Sequence, residues 1–330
     1  MATPNDTSPR YALLLGQGRS GTNYPLKLLD QSPFTHCRNE ADQLRDGALA
    51  RLSRSRYFRR DDAELEERWD DAVRDASSSL GARDHVTQHA KRWLRPGARR
   101  PGYFWMRQRY RVQQRLSGAK AMDTIEARFP RWMASRSGLR EAFHVFKLNA
   151  ACGLASWMFD HRPEGKAIHI VRHPGGFTKS WLRRWAEQHD RQQTEDATKA
   201  RLRELHEFDP RWRGLTGEVE PMSMIEAELW FWRYVNESIH TAGQGQPGYL
   251  PVVYEELTQQ PDDVARRVYE FCDLPWSDWV GERVREISRG SKAIAAAWKD
   301  ELEPDVVETI ERVLAGSVLE TWWEERRLSA

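Results

Sequence analysis

The segment Gly16-Gln17-Gly18-Arg19-Ser20-Gly21-Thr22-Asn23 carries the residue types needed to hold an oxyanion. Glycines let successive backbone N–H groups turn towards one point, while Arg19, Ser20 and Thr22 add a cation and two hydroxyls. Gly16 and Gly21 have the spacing of a nucleoside triphosphatase loop, yet Thr22 stands where such an enzyme places Lys, and the cation comes earlier, at Arg19. Two more basic residues close apolar runs: Lys147 in Phe146-Lys147-Leu148-Asn149, and Arg172 in Val171-Arg172-His173-Pro174. Arg172 can set a bidentate fork on a phosphate, and Ser180 can add a hydroxyl donor. A magnesium-dependent kinase ends a strand in Asp to hold its metal. Here the apolar runs end in basic groups, which suits an anionic cofactor neutralised by the protein itself, with no metal required and no metal ligands assigned.

These residues need elements to hold them. Tyr11 to Leu15 is a short apolar run before the glycine-rich loop, and Leu26, Leu28 and Leu29 then follow a helical pattern, with Pro25 tolerated in the first turn. Phe143 to Leu148, Ala167 to Val171 and Tyr249 to Tyr254 are further strand candidates, each followed by a stretch able to form a helix; Phe34 to Cys37 is a weaker fifth. The alternation predicts an α/β, P-loop-like three-layer fold with a central, mostly parallel five-stranded sheet, and ligands at the carboxyl ends of the strands. Residues 1–330 read as one domain. Residues 41–140, rich in Arg, Asp, Glu and Trp, read as a large helical insertion, and 190–216 as a mobile segment or an exposed helix.

Composition narrows the partners. A formal charge of +2 on 330 residues argues against a nucleic-acid partner, because any attraction to anions must come from local clusters. Cys37, Cys152 and Cys272 are odd in number and far apart, which fits neither a disulfide framework nor a zinc site. The polar start, Met1 to Arg10, and the five-residue apolar run after it match no signal peptide, and no stretch has the roughly 20 apolar residues of a membrane span. The expectation is a cytoplasmic protein without a membrane anchor.

The two loops together resemble those of the sulfotransferases that use 3′-phosphoadenosine-5′-phosphosulfate (PAPS). That family shares a 5′-phosphosulfate loop reading as a cation followed by Ser-Gly-Thr. It also shares a 3′-phosphate motif of Arg, Pro two positions on, and Ser eight positions after the Arg. By this resemblance Gly18, Arg19, Ser20, Gly21, Thr22 and Asn23 hold the 5′ end of the donor, and Arg172 and Ser180 its 3′-phosphate. Val253-Tyr254-Glu255-Glu256-Leu257, Pro261 and Val268 to Pro275 are similar to the family's stretch after the last core strand. This puts Tyr254 near the adenine, the competing reading being a buried core tyrosine. Arg289-Gly290-Ser291-Lys292 stands where relatives carry a basic loop closing on the 3′-phosphate, and also reads as a solvated basic turn.

The activity implied is transfer of a sulfuryl group from PAPS to a hydroxyl or amine of a small-molecule or carbohydrate acceptor, with nucleophile and leaving group in line. Arg19 and Lys147 would stabilise charge on the departing bisphosphate, although Lys147 also reads as half of a structural salt bridge. Many soluble relatives have His two residues after that Lys as general base, whereas this chain has Asn149, which accepts no proton at useful pH. Glu40 is the first candidate for the base and His36 the second.

The acceptor side has no guiding motif. From His85 to Arg115 there are nine Lys or Arg and no Asp or Glu, interleaved with Trp93, Tyr103, Phe104, Trp105 and Tyr110. Such a stretch either holds an anionic acceptor or is a solvated face pairing with acidic neighbours. Trp157, Trp181, Trp185, Trp230 and Trp232 either line an acceptor pocket or pack the core. Two other classes share the loops: a nucleotide or small-molecule kinase, marked by Mg²⁺-dependent ATP turnover, and a non-catalytic adenosine-bisphosphate binder, suggested by Asn149.

Overall fold

The computed structural model describes residues 9–40, 42, 49–78, 84–85, 91–95, 108, 112, 134–186 and 191–324. The first half carries β1 (Tyr11–Gly16), α1 (Asn23–Leu29), β2 (Thr35–Asn39), a 3-10 helix (Leu49–Ser55), α2 (Asp62–Ser78), β3 (Asp84–His85), α3 (Arg136–Glu141), β4 (Phe143–Asn149) and α4 (Cys152–His161). Then come β5 (Lys166–Val171), α5 (Pro174–Ala186), α6 (Arg191–Phe208), α7 (Pro210–Thr216), α8 (Met224–Gly243) and β6 (Tyr249–Val253). The carboxyl-terminal part is helical: α9 (Tyr254–Gln259), α10 (Pro261–Phe271), α11 (Asp278–Ile287), α12 (Ser291–Ala296), α13 (Pro304–Leu314) and α14 (Thr321–Glu324).

Five strands run parallel in the order β2-β4-β1-β5-β6, as the alternating pattern predicts. β3 adds a short sixth strand, antiparallel to β2 through the pairs Cys37–His85 and Arg38–Asp84. The stretch read as a helical insertion therefore also extends the sheet. A two-residue strand has no period-2 pattern, so nothing in the sequence marks it. Tyr254 is also displaced from its expected place: it opens α9 and does not close β6. The 190–216 stretch forms α6 and α7, and Leu202 and Leu205 of α6 are buried in the core cluster that includes α8.

The sheet is covered on both faces, and β1 shows how. Leu13 and Leu15 join Phe146, Leu148, Trp69, Trp157 and Phe231 on one side. Ala12 and Leu14 join Val145, Ile168, Ile170, Leu26 and Val268 on the other. Alternate residues of a strand face opposite ways, and a strand buried on both faces reads as a continuous apolar run. Each such Leu or Ile contributes roughly 1.5–3 kcal/mol relative to exposure. Helix starts are set locally: the Ser135, Ser223 and Ser277 hydroxyls accept from the N–H groups of Gly138, Glu226 and Val280. β1 lies between β4 and β5, so the winding of the chain reverses at its carboxyl end, which is where an open α/β sheet leaves a crevice.

Candidate functional site

The glycine-rich loop leaves β1 at that crevice. The Ser20 N–H donates to the Gln17 carbonyl at 3.0 Å, closing a turn in which Arg19 sits at φ 74°. A non-glycine residue there costs roughly 1–3 kcal/mol and persists only where its surroundings hold it. Three contacts do so. Gln17 Nε2 donates to Glu228 Oε1 at 3.1 Å, Arg172 Nη1 to the Arg19 carbonyl at 3.3 Å, and Arg19 Nη2 to the Ser180 carbonyl at 3.2 Å. The last two join the loop to the Arg172–Ser180 segment through backbone carbonyls. Gly21 has φ 83°, and a Cβ there would stand 2.3 Å from the Tyr254 ring, so both backbone and packing demand glycine.

The loop has the features of a phosphate cradle. Ser20 is fully buried and its hydroxyl has no hydrogen-bond partner among the described residues, and no atom lies within 4 Å of where a Gly18 Cβ would be. Arg172 is buried with its guanidinium 4.7 Å over the Tyr254 ring, and Nη2 donates to the Ile294 carbonyl at 3.4 Å. Its Nε, like the Thr178 hydroxyl, is buried without a partner among the described residues. Burial pulls the Arg172 pKa below the ordinary range, against the opposing influence of Tyr254 and Glu255. Orphaned buried donors of this kind suit an anion brought in from solution. Burial likewise raises the Tyr254 hydroxyl, with Arg172 acting the other way. Asn23, the first residue of α1, is exposed. Gly290, at φ 79°, precedes α12, whose Ile294 carbonyl makes the contact to Arg172, while Arg289 is exposed.

Lys147 and Glu40 meet at the neighbouring strand ends. Lys147 Nζ donates to Asn39 Oδ1 at 2.8 Å and to Glu40 Oε1 at 2.9 Å. Asn149 Nδ2 donates to the same Glu40 oxygen at 2.6 Å, while Asn149 Oδ1 accepts from the Thr22 hydroxyl at 3.3 Å. Asn149 thus bridges the phosphate loop and the carboxylate. Arg56 fixes it in turn: Nε and Nη2 donate to the Asn149 carbonyl at 2.9 and 2.6 Å, and Nε pairs with Asp42 at 3.1 Å. Burial raises the Asp42 pKa, and the Arg56 charge opposes that rise. Glu40 at φ 53° and Ala150 at φ 53° are two more left-handed residues on this rim. Each is tied to a strand end, the Glu40 N–H to the Lys147 carbonyl and the Ala150 N–H to the Gly16 carbonyl, both at 2.8 Å.

His36 lies elsewhere. It is fully buried three residues before the end of β2, roughly 10 Å back along the strand. Its Nδ1 is 3.1 Å from His144 Nδ1, and its ring packs at 4.9 Å on Trp93. The basic stretch from His85 to Arg115 falls mostly outside the described residues. Its described members Lys91 and Trp93 are buried: Lys91 pairs with Asp30 at 2.9 Å, and Trp93 Nε1 donates to the Thr35 carbonyl. Trp157, Trp230 and Trp232 are core residues, whereas Trp181 and Trp185 stack on α5, 6.3 Å apart. Sequence reasoning missed Asn39, Arg56, Gln17 and Glu228. Asn39, next to Glu40, and Gln17, inside the glycine-rich loop, had neighbours that could have drawn attention to them; Arg56 and Glu228 had none.

The sulfotransferase family profile matches residues 12–278, which span every one of these contacts except those of α12. The chain belongs to the sulfotransferase family. Among solved structures it is similar to a sulfotransferase of Mycobacterium avium, at 18% identity over 96% of this chain and 78% of that one, TM-score 0.44. It is also similar to the sulfotransferase domain from the curacin biosynthetic pathway, at 13% identity over 94% and 98%, TM-score 0.47. A mouse sulfotransferase complexed with PAP aligns at 10% identity over 98% and 89%, TM-score 0.43. No curated protein matches the sequence. Among the described residues no three His, Cys, Asp or Glu cluster to hold a metal, and no helix is long and apolar enough to cross a membrane.

Proposed function

We propose that this sulfotransferase moves the sulfuryl group of PAPS to a hydroxyl or amine of a small-molecule or carbohydrate acceptor, with Glu40 as the general base and no metal. The observation that carries the reading is the meeting of Lys147, Glu40, Asn149 and Thr22 in one hydrogen-bonded chain beside the phosphate loop. In the reaction the acceptor oxygen or nitrogen bonds to sulfur, the bond from sulfur to the bridging phosphate oxygen breaks, and the acceptor proton passes to Glu40. The donor supplies an activated sulfuryl group whose departing bisphosphate gains negative charge. Arg19, the loop amides and Lys147 meet that charge, in a site that is preorganised because Asn149 and Arg56 already hold its parts. Asn149 in place of His is thus a positioning residue, and the carboxylate it orients takes over proton transfer.

The test is to follow the labelled sulfur of PAPS into a panel of alcohols, phenols, amines and sugars, with Lys147→Ala as control. Transfer to an acceptor that the variant loses supports the reading. Bisphosphate binding without transfer to any class of acceptor contradicts it and makes the chain a non-catalytic binder.

A further inference from the structure

The geometry points to Glu228 as a positioning residue for the phosphate loop, one that couples the donor site to α6. The inference rests on the donor reading above. Glu228 is 4% exposed on α8, between the buried residues Ala227 and Leu229. A carboxylate in such a place is stable only where donors meet it. Two donors come from α6: Arg201 Nη2 at 2.9 Å and Thr198 Oγ1 at 3.3 Å, both to Oε2. Arg201 also donates to the Thr198 hydroxyl at 3.1 Å and lies 5.0 Å over the Phe231 ring, so this end of the cluster is fixed without the loop.

The third donor is Gln17, itself 3% exposed, whose Nε2 reaches the other oxygen, Oε1, at 3.1 Å. Gln17 is also the residue whose carbonyl closes the turn holding Arg19 at φ 74°. Its side chain is thereby anchored to α8 and its backbone to Ser20, so the loop cannot change shape without moving against the carboxylate. Knitting α6 to α8 does not require this third bond. It sets the loop, and it carries any tightening of the loop by an anion across to α6.

The test uses 3′,5′-adenosine bisphosphate and the full chain. Titration calorimetry on Gln17→Ala, which keeps the Arg201 and Thr198 bonds to Glu228 Oε2, should show about tenfold weaker binding, with the ligand-free Tm lowered by no more than a few degrees for the buried hydrogen bond lost at Oε1. Glu228→Gln, which keeps an oxygen for Gln17, should bind more tightly than Glu228→Ala. Hydrogen exchange should show the bisphosphate slowing amides of α6 in the parent and not in Gln17→Ala. A parent that binds bisphosphate, with Gln17→Ala equal to it in affinity and in α6 protection, overturns the inference alone. A parent that binds none removes the donor reading, and this inference with it.

Discussion

At the scale of single residues, the site combines strained groups held by named partners with buried donors, among them the Ser20 and Thr178 hydroxyls, that have no partner among the described residues. Glu40 is left-handed and shared between Lys147 and Asn149, so its carboxylate has a fixed place at the strand end. Glu40→Gln retains the shape and loses the base. Turnover should fall about a hundredfold while bisphosphate affinity stays within a few-fold of the parent, measured by steady-state kinetics and calorimetry. Equal turnover would remove Glu40 from proton transfer. Gly21→Ala meets both a φ of 83° and the Tyr254 ring, so bisphosphate affinity should drop at least about tenfold. Wild-type affinity in that variant would show that the loop adapts. The residues on which the donor-site proposal rests, Arg19, Ser20 and Thr22 with Arg172 and Ser180, stand out in sequence by residue type and order alone. Asn149 was legible only as a departure. Its bridging role depends on β1 and β4 lying side by side, a fact of register that the sequence does not display. Glu228 was hidden for the same reason, since 211 residues separate it from Gln17.

At the scale of elements, apolar runs marked four of the parallel strands because buried parallel strands are continuous in hydrophobicity, whereas β2, with the sequence Thr-His-Cys-Arg-Asn, showed only as a weaker candidate. β3 and the helical start at Tyr254 escaped, the first being too short to have a period and the second continuing an apolar run into a helix. The attachment of β5 to α8 was also invisible in sequence, and it yields a prediction. His169 of β5 is 3.0 Å from Asn236 Oδ1 of α8 and 2.9 Å from the Tyr249 hydroxyl of β6. Burial brings its pKa down to about 3, partly opposed by the Asn236 hydrogen bond. The unfolded state therefore binds more protons than the folded state between about pH 6.5 and 3. Stability contributed by the neutral ring is complete above pH 6.5 and is lost as pH falls through that window, by up to about 1.4 kcal/mol per pH unit. Urea titrations at pH 7, 6 and 5 should show this fall, and a His169→Gln variant should show a shallower one. A parallel decline in both proteins would assign the acid sensitivity to other groups.

At the scale of the whole molecule, the two faces of one sheet share their strands, so the core and the donor site are expected to lose structure together. The three cysteines report on this. All are buried, and burial raises every one of them, Cys152 and Cys272 to about 12. Thiolate, the reactive form, is scarce at neutral pH. Iodoacetamide should therefore modify none of them in the native protein and all three on unfolding, followed by intact mass. Labelling of one cysteine alone in native buffer would reveal local opening at its element.

A ligand that binds only the folded chain must raise its melting temperature. The decisive measurement is the shift in Tm with 3′,5′-adenosine bisphosphate against ATP plus Mg²⁺, in the parent and in Arg172→Ala. A donor site built from the loop and Arg172 predicts a shift of several degrees with the bisphosphate at about 100 times its Kd, absent in the variant. A shift with ATP and Mg²⁺ alone would contradict the account and favour the kinase reading, which Mg²⁺-dependent ATP turnover would then have to show.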